Sequence, residues 1–394
     1  MSAAESSSWG GEGLGNIAAV AGVSNEHGHS GGMRRSGNGA VMFERQAPFR
    51  VGLVVPLQGP AAIYGASCVL CSRLAAEEIN NAGGVLARPV QLRVVDGGAG
   101  VDRVAFEVDR LITAGQIDAV VGWHLSAVRQ RLAPRTRGRV PYVYTALYEG
   151  GESTPGVFAI GETPEIQLLP ALTWMADEIG VRRWFVVGNN YAWPHRSTAL
   201  ARQFLRDHDK VRVDGAAFVD LGTSDFDVVL RQIEHSACDG VLMFLVGHDA
   251  VEFNQQFARR GLQDQCARFS TLMDENMLRE IGASSAQDVF VASGYFETLP
   301  TAESLQFGAR YVRRFGPEAP VLNAPGESCY EGLWILAELA NRTGSGNVEQ
   351  LRATAEHSRY HGPRGNILVD RARTEQTVYL ATADHTGFDI LASI

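Results

Sequence analysis

The stretch Arg50-Val51-Gly52-Leu53-Val54-Val55-Pro56 decides the fold. It is a short apolar run bounded by turn residues, the pattern of a parallel strand buried on both faces. A crossover helix should follow. Residues 64–81 supply it, with Leu70, Leu74 and Ile79 as the apolar stripe and Gly83-Gly84 as the stop signal. Working outward, strands are expected at 89–96, 117–122 and 140–144, with helices at 101–114 and 126–135 between them. That alternation predicts a parallel sheet with right-handed crossovers.

After Gly150-Gly151 the alternation restarts: helices at 165–179, 196–208 and 226–235 and strands at 183–188, 215–219 and 240–245 form a second set. Helix 250–260, strands 269–272 and 289–295, helices 302–315 and 328–340 and a final stretch 366–381 complete the chain. The expected fold class is therefore α/β, two doubly wound parallel-sheet lobes joined by a hinge. The expected division is a Gly/Ser-rich disordered extension 1–47, a first lobe of 48–163 plus about 290–325, and a second of 164–289 plus about 326–394. Sheets of this kind bind ligands at the carboxyl ends of their strands, in the crevice where the lobes face each other.

The 394 residues are too many for one ordinary core, and the apolar share is that of a soluble globular protein. A formal charge of −9 offers no field for nucleic acid or anionic lipid, so neither is an expected direct partner. No stretch reaches the length of a membrane span, and the start lacks the charged and apolar regions of a secretory signal. Five scattered cysteines do not resemble a disulfide scaffold, and a reducing cytoplasm is the expected location.

Most candidate motifs have plain readings. Cys68-x-x-Cys71 has no second pair and sits mid-helix, so it is read as two packed thiols rather than a metal site. His27 and His29, and the run Gly10 to Gly15, belong to the extension. Arg129, Arg131, Arg135, Arg137 and Arg139 are read as a solvated helix face. No hydrolase elbow, phosphate loop or zinc-protease motif is present, so no catalytic residue, cofactor or metal is assigned. An amidase using Ser126 with His124 or His195 lacks an oriented acid-base partner.

The informative segments are Gly122-Trp123-His124-Leu125-Ser126, Tyr144-Thr145-Ala146-Leu147-Tyr148-Glu149-Gly150 and Asn189-Asn190-Tyr191-Ala192-Trp193-Pro194, each following an expected strand. A hydroxyl at a helix start and facing aromatic walls suit a small neutral polar ligand, because burying a charge is costly. The competing reading is that these aromatics plug the hinge. An amino-acid ligand would need an acid for its ammonium, and Glu149 and Asp249 are the candidates nearby.

On these segments, together with Gly52 to Gly65 and the Ile79-Asn80-Asn81-Ala82-Gly83-Gly84 stretch, the sequence resembles the amide- and urea-binding branch of the type I periplasmic binding proteins, the Venus-flytrap class that includes cytoplasmic amide sensors of amidase operons. The resemblance implies a non-enzymatic sensor of small aliphatic amides that regulates an amidase or nitrile hydratase operon by ligand-dependent lobe closure. Ser126 would hydrogen-bond the amide, Tyr144 and Tyr191 would close on it, Trp193 would shape the pocket, and Gly247 would sit at the cleft edge. Ala146 stands where a Thr is common, and Trp123-His124 replaces a smaller-plus-tyrosine pair, which points to a bulkier or more apolar amide; Tyr148 completes the ligand set. The implied partner is a regulatory protein such as an antiterminator, with homo-oligomerisation left open. The alternative is the substrate-binding protein of an ATP-driven transporter for urea, short amides or branched-chain amino acids.

Overall fold

The computed structural model describes residues 47–206, 211–356, 358–369, 374–384 and 387–394. The expected extension, apart from Ala47, lies outside them. The decisive run forms strand β1 (Phe49–Val55), which sits between β2 (Val90–Asp96) and β3 (Ala119–Gly122) in a wholly parallel sheet continued by β4 (Tyr142–Tyr144) and β5 (Val157–Ala159), in the order β2-β1-β3-β4-β5. Helices α1 (Gly65–Asn81), α2 (Val101–Thr113) and α3 (Ser126–Thr136) make the crossovers. β5 is a three-residue strand the sequence pattern did not announce.

The chain then crosses to the second lobe through α4 (Leu168–Trp174). There β6 (Arg183–Asn189), β7 (Arg212–Val219), β8 (Gly240–Phe244), β9 (Ala267–Ser270) and β10 (Val289–Ser293) run parallel, with α5 (Ala192–Arg206), α6 (Asp227–Ser236), α7 (His248–Arg259) and α8 (Glu275–Ile281) between them. Helices α9 (Ala302–Phe315), α10 (Ala324–Thr343) and α11 (Val348–Ala355) follow. A small antiparallel sheet, β11 (Ser358–Gly362), β12 (Gly365–Val369) and β13 (Thr374–Glu375), comes next. The last two strands, β14 (Tyr379–Ala383) and β15 (Phe388–Ser393), join the second sheet antiparallel, giving β15-β14-β10-β9-β8-β6-β7. Both sheets are packed as expected for a two-lobed α/β protein. Trp184, Phe226, Phe253, Phe257 and Phe269 fill the second lobe, and each such burial contributes about 1.5–3 kcal/mol.

The lobe boundary near residue 325 needs correction. Helix α10 packs in the first lobe: Tyr330 donates its hydroxyl to Glu78 of α1 at 2.5 Å, and Asn341 Nδ2 donates to the Gly84 carbonyl at 3.0 Å. Gly332 explains how the helix comes so close, since a Cβ there would stand 2.6 Å from Thr145 Cγ2 and 3.1 Å from Val121 Cγ1. Of the stretch expected in the second lobe, β14 and β15 join its sheet.

Candidate functional site

The carboxyl ends of both sheets face each other, and the described structure is closed. Tyr64, in the turn before α1, accepts a hydrogen bond from the Gly247 N–H at 2.9 Å and reaches Met277 Sδ at 3.5 Å. Gly247 approaches so closely that a Cβ would lie 2.0 Å from the Pro60 carbonyl oxygen, and its φ of 51° also favours glycine. The Tyr64 ring packs tilted against Trp123, with centroids 4.6 Å apart. Because the Tyr64–Gly247 bond joins the lobes only in the closed form, Tyr64→Phe is expected to weaken ligand binding about fivefold, the worth of one hydrogen bond of about 1 kcal/mol. Calorimetric titration against the unchanged protein checks this.

Between the closed lobes lies a pocket with about 350 Å³ of free space, part of it open to solvent. Trp123 after β3 and Thr145 and Leu147 after β4 form its first-lobe side, and Thr271 to Asp274 after β9 form the second. Its remaining wall comes from the hinge: Glu162 after β5, Ser293 at the end of β10, the first turn of α10, and Arg364 in the turn between β11 and β12.

The wall is charged and partly unsatisfied. Asp274 is buried, caps α8 by accepting the Met277 N–H at 2.9 Å, and accepts from Asn323 Nδ2 at 2.5 Å. Burial pushes its carboxyl up to about 7. Arg364 donates from Nε to Glu331 at 2.5 Å and from Nη1 to Glu162 at 3.2 Å, and lies 3.7 Å from Glu327. Burial opposes its charge, but these carboxylates outweigh burial and hold the guanidinium protonated. Burial and the neighbouring Glu331 push the Glu327 carboxyl well above the ordinary range. Arg364 Nη2 and Thr271 Oγ1 are buried without a protein partner, and such atoms are rare unless something else satisfies them.

Of the nine residues expected to hold the ligand, Trp123 alone lines this cavity. Ser126 donates its hydroxyl to Glu149 at 2.7 Å, where Arg129 also donates at 2.8 Å. Arg129 was expected on a solvated face. Its side chain is instead buried over the Tyr144 and Tyr148 rings, 5.2 and 4.7 Å away. Tyr144 donates its hydroxyl to the His124 carbonyl at 2.8 Å, and burial lowers His124 to about 3, leaving it neutral beside Tyr142. Ala146 presses its carbonyl on Gly161, where a Cβ would stand 2.1 Å from that oxygen. Trp193 packs edge-on against Phe244 at 5.4 Å, with Tyr191 tilted on it at 6.2 Å. Gly247 serves the lobe contact. In this structure these aromatics pack beside the cavity rather than line it.

The acids named for an ammonium are also occupied: Glu149 by Arg129, and Asp249 by Asn189 Nδ2 at 2.7 Å and the Gly222 N–H at 2.9 Å. Asp274 and Glu162 line the cavity in their place. The signal that could have found Asp274 is its position in the short turn from β9 to α8, at the carboxyl end of a second-lobe strand. Cys68 and Cys71 are buried free thiols in α1, and no group of three or more His, Cys, Asp or Glu suited to a metal occurs among the described residues. Among those residues no helix is long and apolar enough to cross a membrane.

Two α/β lobes closed over a small polar cavity define a ligand-binding protein of the Venus-flytrap class. Residues 48–388 match the model of the periplasmic binding protein family, and the chain belongs to that family. Solved structures share the fold. The solute-binding protein of an ABC transporter from Rhodopseudomonas palustris HaA2, in complex with p-hydroxybenzoic acid, is 18% identical with a TM-score of 0.81, covering 88% of this chain and 97% of that one. Its counterpart from strain BisB5, with 3,4-dihydroxybenzoic acid, is 22% identical with a TM-score of 0.77 over the same shares. The branched-chain amino acid transporter substrate-binding protein of Streptococcus pneumoniae, in complex with isoleucine, is 18% identical with a TM-score of 0.75, covering 88% and 98%.

Proposed function

We propose that the chain is the substrate-binding component of an ATP-driven uptake system, and that its solute is a small zwitterion of the amino-acid kind with an apolar side chain. One observation carries this reading: the same cavity wall holds a buried carboxyl, Asp274, and a buried guanidinium with a partnerless Nη2, Arg364. An ammonium on Asp274 and a carboxylate on Arg364 would satisfy both. Leu147, Leu272, Met273 and Pro325 provide apolar surface for a side chain.

The competing solutes fit less well. A neutral amide leaves the Asp274 carboxylate buried without a cation, and a benzoate adds a carboxylate while leaving Asp274 unpaired. The amide-sensor reading also places its ligand on Ser126, whose hydroxyl Glu149 already holds. Transport rather than regulation is further supported by the named functions of the structural relatives.

A thermal-shift panel of leucine, isoleucine, valine and phenylalanine against benzoate, acetamide and urea tests the proposal. Ligand at 100 times its Kd stabilises by about 2.7 kcal/mol, enough to raise the melting point visibly. The amino acids are expected to shift it. A response to acetamide or urea alone would restore the amide-sensor reading.

A further inference from the structure

The second lobe carries a cysteine pair that the ligand site does not use. Cys238 stands two residues before β8, and Cys266 immediately precedes β9. The strands are adjacent and parallel, with Gly240 opposite Ala267 and the Ala267 N–H donated to the Asp239 carbonyl at 3.0 Å. The two thiols stand on these adjoining segments, each close enough to act on the other's proton. The pairing sets Cys266 level with Asp239, one position on from Cys238, and such diagonal neighbours on adjacent segments fall within the Cα separation a disulfide spans.

We propose that Cys238 and Cys266 form a disulfide when the protein meets a thiol-oxidising environment, stapling the entries of β8 and β9. Exposure selects this pair. Cys238 and Cys266 keep 7% and 6% of their surface, whereas Cys68, Cys71 and Cys329 keep none. The reaction needs a disulfide oxidant, for which oxidised glutathione serves as the probe. The Cys238 thiolate attacks one sulfur of the oxidant, forming a mixed disulfide and releasing one glutathione. Cys266 then loses its proton and attacks Cys238 Sγ, releasing the second glutathione, so two protein thiols are oxidised and one oxidant disulfide is reduced. The hydrogen bond with Cys266 holds the Cys238 thiol down to about 7, which favours Cys238 as the attacking group.

The pair stands at the amino-terminal ends of β8 and β9, while the cavity residues Thr271 to Asp274 follow the carboxyl end of β9. Oxidation should therefore leave ligand affinity unchanged. The bond closes the loop that carries α7, and it restricts the unfolded chain.

The test treats full-length protein with oxidised glutathione and counts thiols after denaturation. The count should fall from five to three, peptide mapping should recover a Cys238–Cys266 link, and the melting point should rise by roughly 5 °C. In Cys266→Ser the first step has no successor, so Cys238 should retain one glutathione. The proposal is overturned if all five thiols survive, if the lost pair maps to Cys68, Cys71 or Cys329, or if the unsubstituted protein stops at the glutathione adduct.

Discussion

Replacing Arg364 by Met is expected to destabilise the protein by about 3–5 kcal/mol, the range for stripping one partner from a buried ionic cluster. Arg364 is the cation facing Glu162, Glu327 and Glu331, and its side chain is 2% exposed. Methionine fills much of the same volume, so the penalty comes from charge rather than from a cavity. At roughly 2–4 °C per kcal/mol the melting point should drop by on the order of 10 °C. The pH dependence gives the cause away. Without the guanidinium the buried carboxyls have raised pKa values in the folded state, so the folded protein binds more protons than the unfolded one. Stability then falls as pH rises, and the deficit relative to the parent protein should be smaller at pH 5 than at pH 8. Thermal melts at both pH values check it; a deficit independent of pH would mean that packing, not charge, fixes this hinge. Adding Glu331→Gln to the Arg364→Met protein should recover part of the loss.

The framework was legible because it depends on local pattern. The run from Arg50 to Pro56 could only be a doubly buried strand, and the helix after it ended where Gly83-Gly84 said it would. Strand ends in such sheets point at ligands, and Trp123, which follows β3, lines the cavity. The rest of the cavity depends on groups meeting from distant segments, which no local pattern encodes. Asp274 reads as an ordinary helix cap, and it is one; its second role appears when the lobes close. Arg364 lies in a Gly-Pro-Arg-Gly turn that reads as exposed, yet Glu162, Glu327 and Glu331 converge on it from the hinge and from α10. Ser126 was attractive as a free hydroxyl at a helix start. Glu149, buried and ionised by Arg129, claims it instead. Helix α10 is buried on nearly every face, so its sequence gave no hint of which lobe it joins.

Asp274→Asn is expected to weaken binding of an amino-acid solute by 100-fold or more, since breaking one side of a buried charge pair costs about 3 kcal/mol or above. The substitution is nearly isosteric, and an Asn Oδ1 can still cap α8 at Met277. Its amide nitrogen would meet Asn323 Nδ2, where Asp274 accepted, so a loss of about 1 kcal/mol in stability accompanies it. Affinity and stability are therefore read separately, by calorimetry and by melting. The unsubstituted protein carries its own signature. Burial raises the Asp274 carboxyl to about 7, with Glu280 adding to the rise, and an ammonium requires the ionised form. As pH falls from 8 to 6 the ionised fraction drops about tenfold, and the affinity should drop with it, while Asp274→Asn should show a flat profile across that window. A neutral amide gains little from ionising Asp274, so its binding would hold steady or strengthen at low pH. A flat profile for the unsubstituted protein would place the ligand nitrogen away from Asp274 and remove the main support for a zwitterionic solute.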